Sequence, residues 1–481
     1  MTENEYQDLD GLALADLLQK KAVSSPELME HAVALSRTRG AALNAIRYEK
    51  YDDALQWARQ WRHQGQFQGI PFLLKDSSLA SVRLPMSLGS NLFTDTSFTF
   101  DATLTQRFEA AGLIPFARTS VPEFCMAPTT EAVANGAVTL NPWDETRSAG
   151  GSSGGAAAAV AARVVPLAHG SDGGGSIRIP ASCCGLYGFK ATRGRVPTGP
   201  TKGEIWGGMG TDGVLSRSVR DTAAAMDAIC GREAGAPYDS APPNASFMSA
   251  VTEARRAPLR IAVWTSAWDG IPLAPECLDA VRYAASLCKD MGHEIIEAAP
   301  PPLDYQQFFQ SHLQVLEANI VASVHARLAG LKRSLRDDDL EPAMRDGYEQ
   351  GLRLTAEDYV NAINTFHHVG RVLQTDIARF DLILTPMLAQ PPAPLGYLAM
   401  QGPFREFRYK VAQYAVFSAI MNASGQPAAS VPVYWTEAGL PIGVQIMGQF
   451  GRDDLVLRLS AELERAAPWA GRIPARFKQA A

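Results

Sequence analysis

The chain has 481 residues, 46% hydrophobic and 20% charged, a balance that suits a globular protein with a large core and excludes a disordered or fibrous chain. Its 44 basic and 50 acidic residues leave a net charge of −6 with no long basic run, so there is no electrostatic footprint for nucleic acid. The six cysteines (Cys125, Cys183, Cys184, Cys230, Cys277 and Cys288) form no C-x-x-C pair and no Cys/His spacing suited to zinc, and read as buried free thiols of a reducing compartment.

The first residues, M-T-E-N-E-Y-Q-D-L-D, lack the basic patch and apolar core of a secretory signal. The longest Ala/Val-rich stretch, 156–168, is broken by Arg163 and Pro166 and falls short of the ~20 residues of a membrane helix. A cytoplasmic protein with no membrane span is expected. Residues 11–36 carry helical spacing, and S-S-P-E at 24–27 supplies a serine cap, a first-turn proline and an early acid, which predicts two N-terminal helices.

Short apolar runs bounded by turn residues follow at 70–74, 112–117, 259–264 and 381–386 and read as buried strands. Helical stretches separate them, which argues for an α/β fold with a mixed, mostly buried sheet. A Pro/Gly/Ala-rich segment at 231–246 is a plausible surface connector, and 303–378 carries long amphipathic helical patterns without evident chemistry. Length alone suggests about three domains, yet the pattern reads as one domain over 1–481, with core motifs at 69–222 and 422–456. The middle, about 250–420, is expected to be helical and to determine the substrate.

The run R-S-A-G-G-S-S-G-G-A-A-A-A-V at 147–160 has the composition of a spacer, but it feeds directly into a strong helix former. Backbone N–H groups therefore gather at a helix start. A second cluster, H-G-S-D-G-G-G-S-I-R-I-P-A-S at 169–182, places Ser176 24 positions after Ser152. Two such clusters around one apolar helix suggest loops that meet at one end of the sheet, where glycines let a substrate carbonyl approach backbone donors. Upstream, P-F-L-L-K-D-S puts Lys75 at the end of an apolar strand, either as an ion-paired surface residue or as a buried base.

Together, P-F-L-L-K-D, S-A-G-G-S-S-G-G-A-A-A-A and G-S-D-G-G-G-S-I-R-I-P-A-S-C-C-G-L-Y-G-F-K-A-T-R-G-R-V-P resemble the amidase signature enzymes. Weaker likeness extends to N-A-S-G-Q-P-A-A-S-V-P at 422–432 and G-L-P-I-G-V-Q-I-M-G at 439–448. The resemblance implies an α/β/α domain in which helices cover both faces of a twisted mixed sheet, with a Ser–cis-Ser–Lys triad. Ser176 matches the nucleophile, Ser152 the bridging serine after a cis peptide bond, and Lys75 the base. The amides of Gly173, Gly174, Gly175 and Ser176 match the oxyanion hole. Serine is a poor nucleophile until a base takes its proton, and lysine serves only when neutral, so Lys75 must be desolvated.

The implied reaction is acyl transfer of an amide to water through an acyl-enzyme, without metal or cofactor. Ser153, Asp172 and Arg178 match supports of the loop. Cys125, Met126 and Ala127, in V-P-E-F-C-M-A-P-T-T, resemble the segment lining the acyl side of the pocket, and Trp206, in K-G-E-I-W-G-G-M-G, is a candidate substrate wall. Core packing is an equal reading for these four. Cys183, Cys184, Asn141, Trp143 and Arg147 look like scaffold behind the loop.

Two departures stand out. F-K-A-T replaces the commoner Leu-Lys-Pro-Thr, and the residue after Asp172 is a third glycine where relatives often carry a larger one, which predicts a looser oxyanion loop. The stretches N-P-W-D-E-T-R-S-A-G-G-S-S-G-G, P-T-G-P at 197–200 and Q-I-M-G-Q-F-G-R-D-D-L are most similar to the branch with 6-aminohexanoate cyclic-dimer hydrolases and general amidases. A small, mainly uncharged amide is the expected substrate, with aryl amides and carbamates as relatives' substrates. A homodimer is an expectation of the resemblance alone.

G-S-S-G-G also satisfies G-x-S-x-G, but a hydrolase of that kind needs a late histidine, and the last here are His367 and His368 in a helical pattern. No G-x-G-x-x-G follows a first strand and no Gly-Lys-Ser/Thr occurs, which excludes the common nucleotide-binding loops. An amidotransferase subunit acting in a complex with partner chains shares the signature and is the alternative reading.

Overall fold

The structure is a computed structural model that describes residues 1–136, 138–253 and 257–478. Eleven strands form one sheet: β1 (Ile46–Glu49), β2 (Ile70–Lys75), β3 (Leu113–Thr119), β4 (Leu167–Asp172), β5 (Tyr187–Lys190), β6 (Thr211–Ser216), β7 (Arg260–Trp264), β8 (Glu294–Ala298), β9 (Leu382–Pro386), β10 (Ala428–Trp435) and β11 (Pro441–Gly448). Their order is β1-β3-β2-β4-β6-β5-β10-β11-β9-β7-β8. A parallel group, β3-β2-β4, and a second, β9-β7-β8, flank an antiparallel block. The mixed α/β architecture expected from the sequence is the one observed, and all four apolar runs read as strands lie in it.

Those runs stand out because strands covered on both faces need no polar alternation. Every residue of β2, β3 and β11 is buried. Helices Ser25–Leu35, Gly154–Ala161 and Asp453–Ala466 supply apolar side chains to the large cluster that includes Leu73, Val214, Val444 and Leu459. On another side, helices Tyr305–Leu331, Pro342–Gly351 and Phe404–Tyr414 form a cluster around Phe309, Leu313, Met344 and Phe404.

Ser24 caps its helix, with Pro26 in the first turn. A shorter helix, Glu3–Asp8, closed by a Thr2/Glu5 capping box, precedes the two expected ones. The 231–246 segment contains neither helix nor strand, and no helix among the described residues is long and apolar enough to cross a membrane.

Two strand pairings position the site. Because β2 and β4 are parallel, with Leu73 opposite Ala168, their C-terminal ends open at the same sheet edge. Strand β6 runs antiparallel to β4 and begins where β4 ends, with Asp212 opposite Ser171. Ligands of open α/β sheets characteristically sit beyond such carboxyl ends.

Between β3 and β4 the helix Gly154–Ala161 is buried along its whole length. A Cβ on Gly155 would lie 2.4 Å from the Ser120 nitrogen and 2.6 Å from the Ala45 carbonyl oxygen, so backbone occupies the space a side chain needs. Gly330, late in the helix Tyr305–Leu331, has nothing within 4 Å of its Cβ position. The same substitution therefore has opposite expected signs in urea unfolding: Gly155→Ala destabilises by about 1–3 kcal/mol, whereas Gly330→Ala stabilises by roughly 0.5 kcal/mol through helix propensity.

Candidate active site

Lys75 ends β2 fully buried, with its Nζ 2.7 Å from Ser152 Oγ, 2.8 Å from Ser171 Oγ and 3.2 Å from the Ser171 carbonyl oxygen. The surface alternative for this lysine is thereby removed. Burial pushes its pKa down, opposed by the nearby Cys125, Asp212 and Asp172. Arg118, also fully buried, donates to the Lys75 carbonyl at 2.9 Å and fixes the strand end.

Ser152 is fully buried and follows a cis peptide bond from Gly151. A Cβ on Gly151 would meet the Thr129 carbonyl oxygen at 2.3 Å, so the 126–130 segment closes directly onto this bond. Thr130 Oγ1 donates to the Gly150 carbonyl at 2.9 Å. The glycine-serine run is thus clamped on both sides and is no spacer. Ser153 ties the two clusters together: its N–H donates to the Ser176 carbonyl at 3.3 Å and its hydroxyl to the Ser171 carbonyl at 3.4 Å.

Behind Ser176, Asp172 and Arg178 form a fully buried two-point ion pair with both contacts at 3.0 Å. Burial opposes the Asp172 charge, but the guanidinium outweighs it and holds the carboxyl well below the usual range. Asn422 Nδ2 donates to Asp172 at 2.8 Å, and Arg178 donates to Gln445 Oε1 at 2.6 Å. The carboxylate also receives the N–H of Gly175 at 2.7 Å and of Ile177 at 3.2 Å. Gly175 is therefore unlike its neighbours: at φ +117° its amide turns inward to Asp172. The amides of Gly173, Gly174 and Ser176 have no protein partner among the described residues.

Trp206 resolves the departure at Gly173. Its ring carbons lie 2.5 Å from where a Cβ on Gly173 would be, so the indole fills the space the third glycine leaves, and the loop is packed rather than slack. Ser176, 9% exposed, faces a cavity. Its lining combines apolar side chains, Leu79, Phe100, Leu104, Phe124, Ile205 and Trp206, with polar ones, Ser78, Thr198, Thr201, Lys202, Thr211 and Asp212. Cys125 and Met126 line it too, while Ala127 sits behind the wall, its carbonyl against Gly151.

The expected source of the pocket wall shifts. Segments 77–104, 124–126 and 197–212 build it, with Ser323 the lining residue from the middle region. The middle helices instead pack Phe309, Leu313 and Leu316 behind Phe124 and Met126.

Sequence reasoning missed Ser171, which holds Lys75, and Lys202, Asp212 and Asn422. Alternation along β4 places His169 and Ser171 on one face and so contains a usable signal; nothing local marks Asp212. The scaffold residues fall as expected: Asn141 donates to the Ser148 and Cys183 carbonyls, Trp143 to that of Cys184 and Arg147 to that of Pro392, and both Cys183 and Cys184 are buried free thiols.

The Amidase family model matches residues 28–457. The 6-aminohexanoate-cyclic-dimer hydrolase of Paenarthrobacter ureafaciens is 33% identical over 97% of this chain and 96% of its own. Among solved structures, a 6-aminohexanoate cyclic dimer hydrolase complexed with substrate superposes with a TM-score of 0.92 at 31% identity, covering 98% of this chain and 100% of that one. A bacterial aryl acylamidase of the amidase signature family gives 0.87 at 27%, covering 96% and 99%. The sheet, the paired glycine-serine loops and these likenesses agree, and the chain belongs to the amidase signature family of amide-bond hydrolases.

Proposed function

We propose that Ser176, Ser152 and Lys75 form a catalytic triad that hydrolyses a small, mainly uncharged amide through an acyl-enzyme. The 2.7 Å contact from Lys75 Nζ to Ser152 Oγ, with Ser152 and Ser176 lining the same cavity, carries this reading. As Ser176 Oγ bonds to the amide carbon, its proton moves to Ser152 Oγ, and Ser152 passes its own proton to neutral Lys75. The amides of Gly173, Gly174 and Ser176 receive the oxyanion, while Gly175 holds the loop through Asp172. The stored proton leaves with the amine as the C–N bond breaks, and water releases the acid by the same path.

The substrate class we infer is a linear or cyclic amide of the 6-aminohexanoate type. The apolar side chains of the lining suit a methylene chain, and its hydroxyls with Lys202 suit further carbonyl groups. The likeness to a cyclic-dimer hydrolase over nearly the whole chain supports the same choice.

A panel of a cyclic lactam dimer, linear amides, an anilide and a carbamate tests the class; fastest release of amine from the aminohexanoate amides is expected. Activity that appears only with added partner chains would favour the amidotransferase alternative. Ser176→Ala and Lys75→Ala are expected to lose about 10³-fold or more in kcat, with thermal unfolding little changed in Ser176→Ala, and retention of activity by Ser176→Ala would remove it as nucleophile. Because the base acts unprotonated, kcat/KM should rise with pH as Lys75 loses its proton, and burial places that rise below the range of an exposed lysine.

A further inference from the structure

We propose that Asp212, held in place by His169, is a positioning residue whose negative charge receives Lys75 as an ammonium while the Ser176 proton is stored there. This rests on the triad reading above and adds a fourth and a fifth residue to it.

The geometry fixes the proton positions. The Lys75 backbone N–H donates to His169 Nδ1 at 3.2 Å, so that nitrogen carries no proton. Nε2 then carries it and donates to Asp212 Oδ1 at 3.0 Å. His169 is fully buried, and burial first, with Lys75 and Arg118, lowers its pKa against the opposite pull of Asp212. A neutral imidazole holds the Asp212 carboxylate without cancelling its charge. Asp212 itself is 8% exposed, lines the cavity and pairs directly opposite Ser171, whose carbonyl and hydroxyl grip Lys75 Nζ.

The other charged or titratable groups around Lys75 are committed elsewhere. Asp172 is neutralised by Arg178. Asp76 receives the Ser87 hydroxyl and N–H and faces the Arg118 guanidinium. The Cys125 thiol is pushed up by burial, which keeps it protonated. Lys202 lies toward Asp212 but donates to Ser78 Oγ at 2.9 Å, and no ion pair joins it to Asp212 among the described residues. Asp212 is thus the carboxylate facing Lys75 that no arginine claims.

The step balances within the triad. Ser176 Oγ gains a bond to the electrophilic carbon as its proton passes to Ser152, and the Ser152 proton passes to Lys75. Lys75 is then cationic opposite the Asp212 carboxylate, and the proton returns by the same route to the leaving nitrogen. Without that charge, storage of the proton in a buried site is disfavoured.

The test avoids dependence on the substrate: the rate at which a fluorophosphonate phosphonylates Ser176 is followed against pH, with the modified residue located by mass spectrometry. Removal of a negative charge makes Lys75 shed its proton more easily, so in Asp212→Asn the rising limb should move to lower pH. The plateau rate should fall by about tenfold as the weaker base takes the proton less readily. Asp212→Glu keeps the charge and should leave the limb near that of the wild type, which a purely structural role does not predict. Asp212→Ser is the second neutral variant should the Asp212→Asn protein fold poorly, and gives the same shift. Labelling of Ser176 with an unmoved limb in both neutral variants overturns the proposal alone; failure of the wild type to label at Ser176 overturns the triad reading beneath it.

Discussion

The buried ion pair of Asp172 and Arg178 is the constraint on which the rest of the site depends. It joins the last residue of a central strand to the first of the helix Arg178–Cys184, and the loop between them is the one that presents Ser176. Asn422 and Gln445, from segments far along the chain, complete its hydrogen bonds. A buried pair adds little stability over an apolar replacement, but one partner alone is costly. Its value here is geometric: the carboxylate takes the Gly175 and Ile177 amides, while the intervening amide of Ser176 has no protein partner among the described residues.

Around that anchor the site separates two kinds of buried polarity. Asp172 is matched by a permanent cation and stays a fixed part of the frame. Lys75 is surrounded by hydroxyls, a carbonyl and a carboxylate held by a neutral histidine, surroundings that tolerate either protonation state. A group that must gain and lose a proton requires such surroundings, since a permanent partner would lock it in one form.

Much of this was legible in the sequence. The strand runs announced themselves because full burial removes polar alternation, and the order of P-F-L-L-K-D and the two glycine-serine clusters predicted that their ends would meet. Composition misleads at Gly150, Gly151 and Gly155, where a spacer-like run is pressed against backbone, a fact only the third dimension holds. Lys75 reads more readily as a surface residue than as a buried base until its neighbours are known. Gly173 suggested slackness because Trp206, which fills the gap, lies in a separate turn-rich segment. Asp212 gave no signal, since a lone aspartate acquires meaning only from a histidine 43 residues away on the adjacent strand. The middle helices were visible as helices, but amphipathic patterning does not say which layer faces a cavity and which stands behind it.

The apolar lining of the cavity includes Leu79, Phe100, Leu104 and Ile205, whose side chains take no part in the hydrogen bonds that hold Lys75, Ser152, Asp172 or Arg178. The apolar lining and the polar frame thus draw on different side chains. Mutation can therefore reshape the cavity lining and leave the hydrogen bonds of Lys75, Ser152, Asp172 and Arg178 intact.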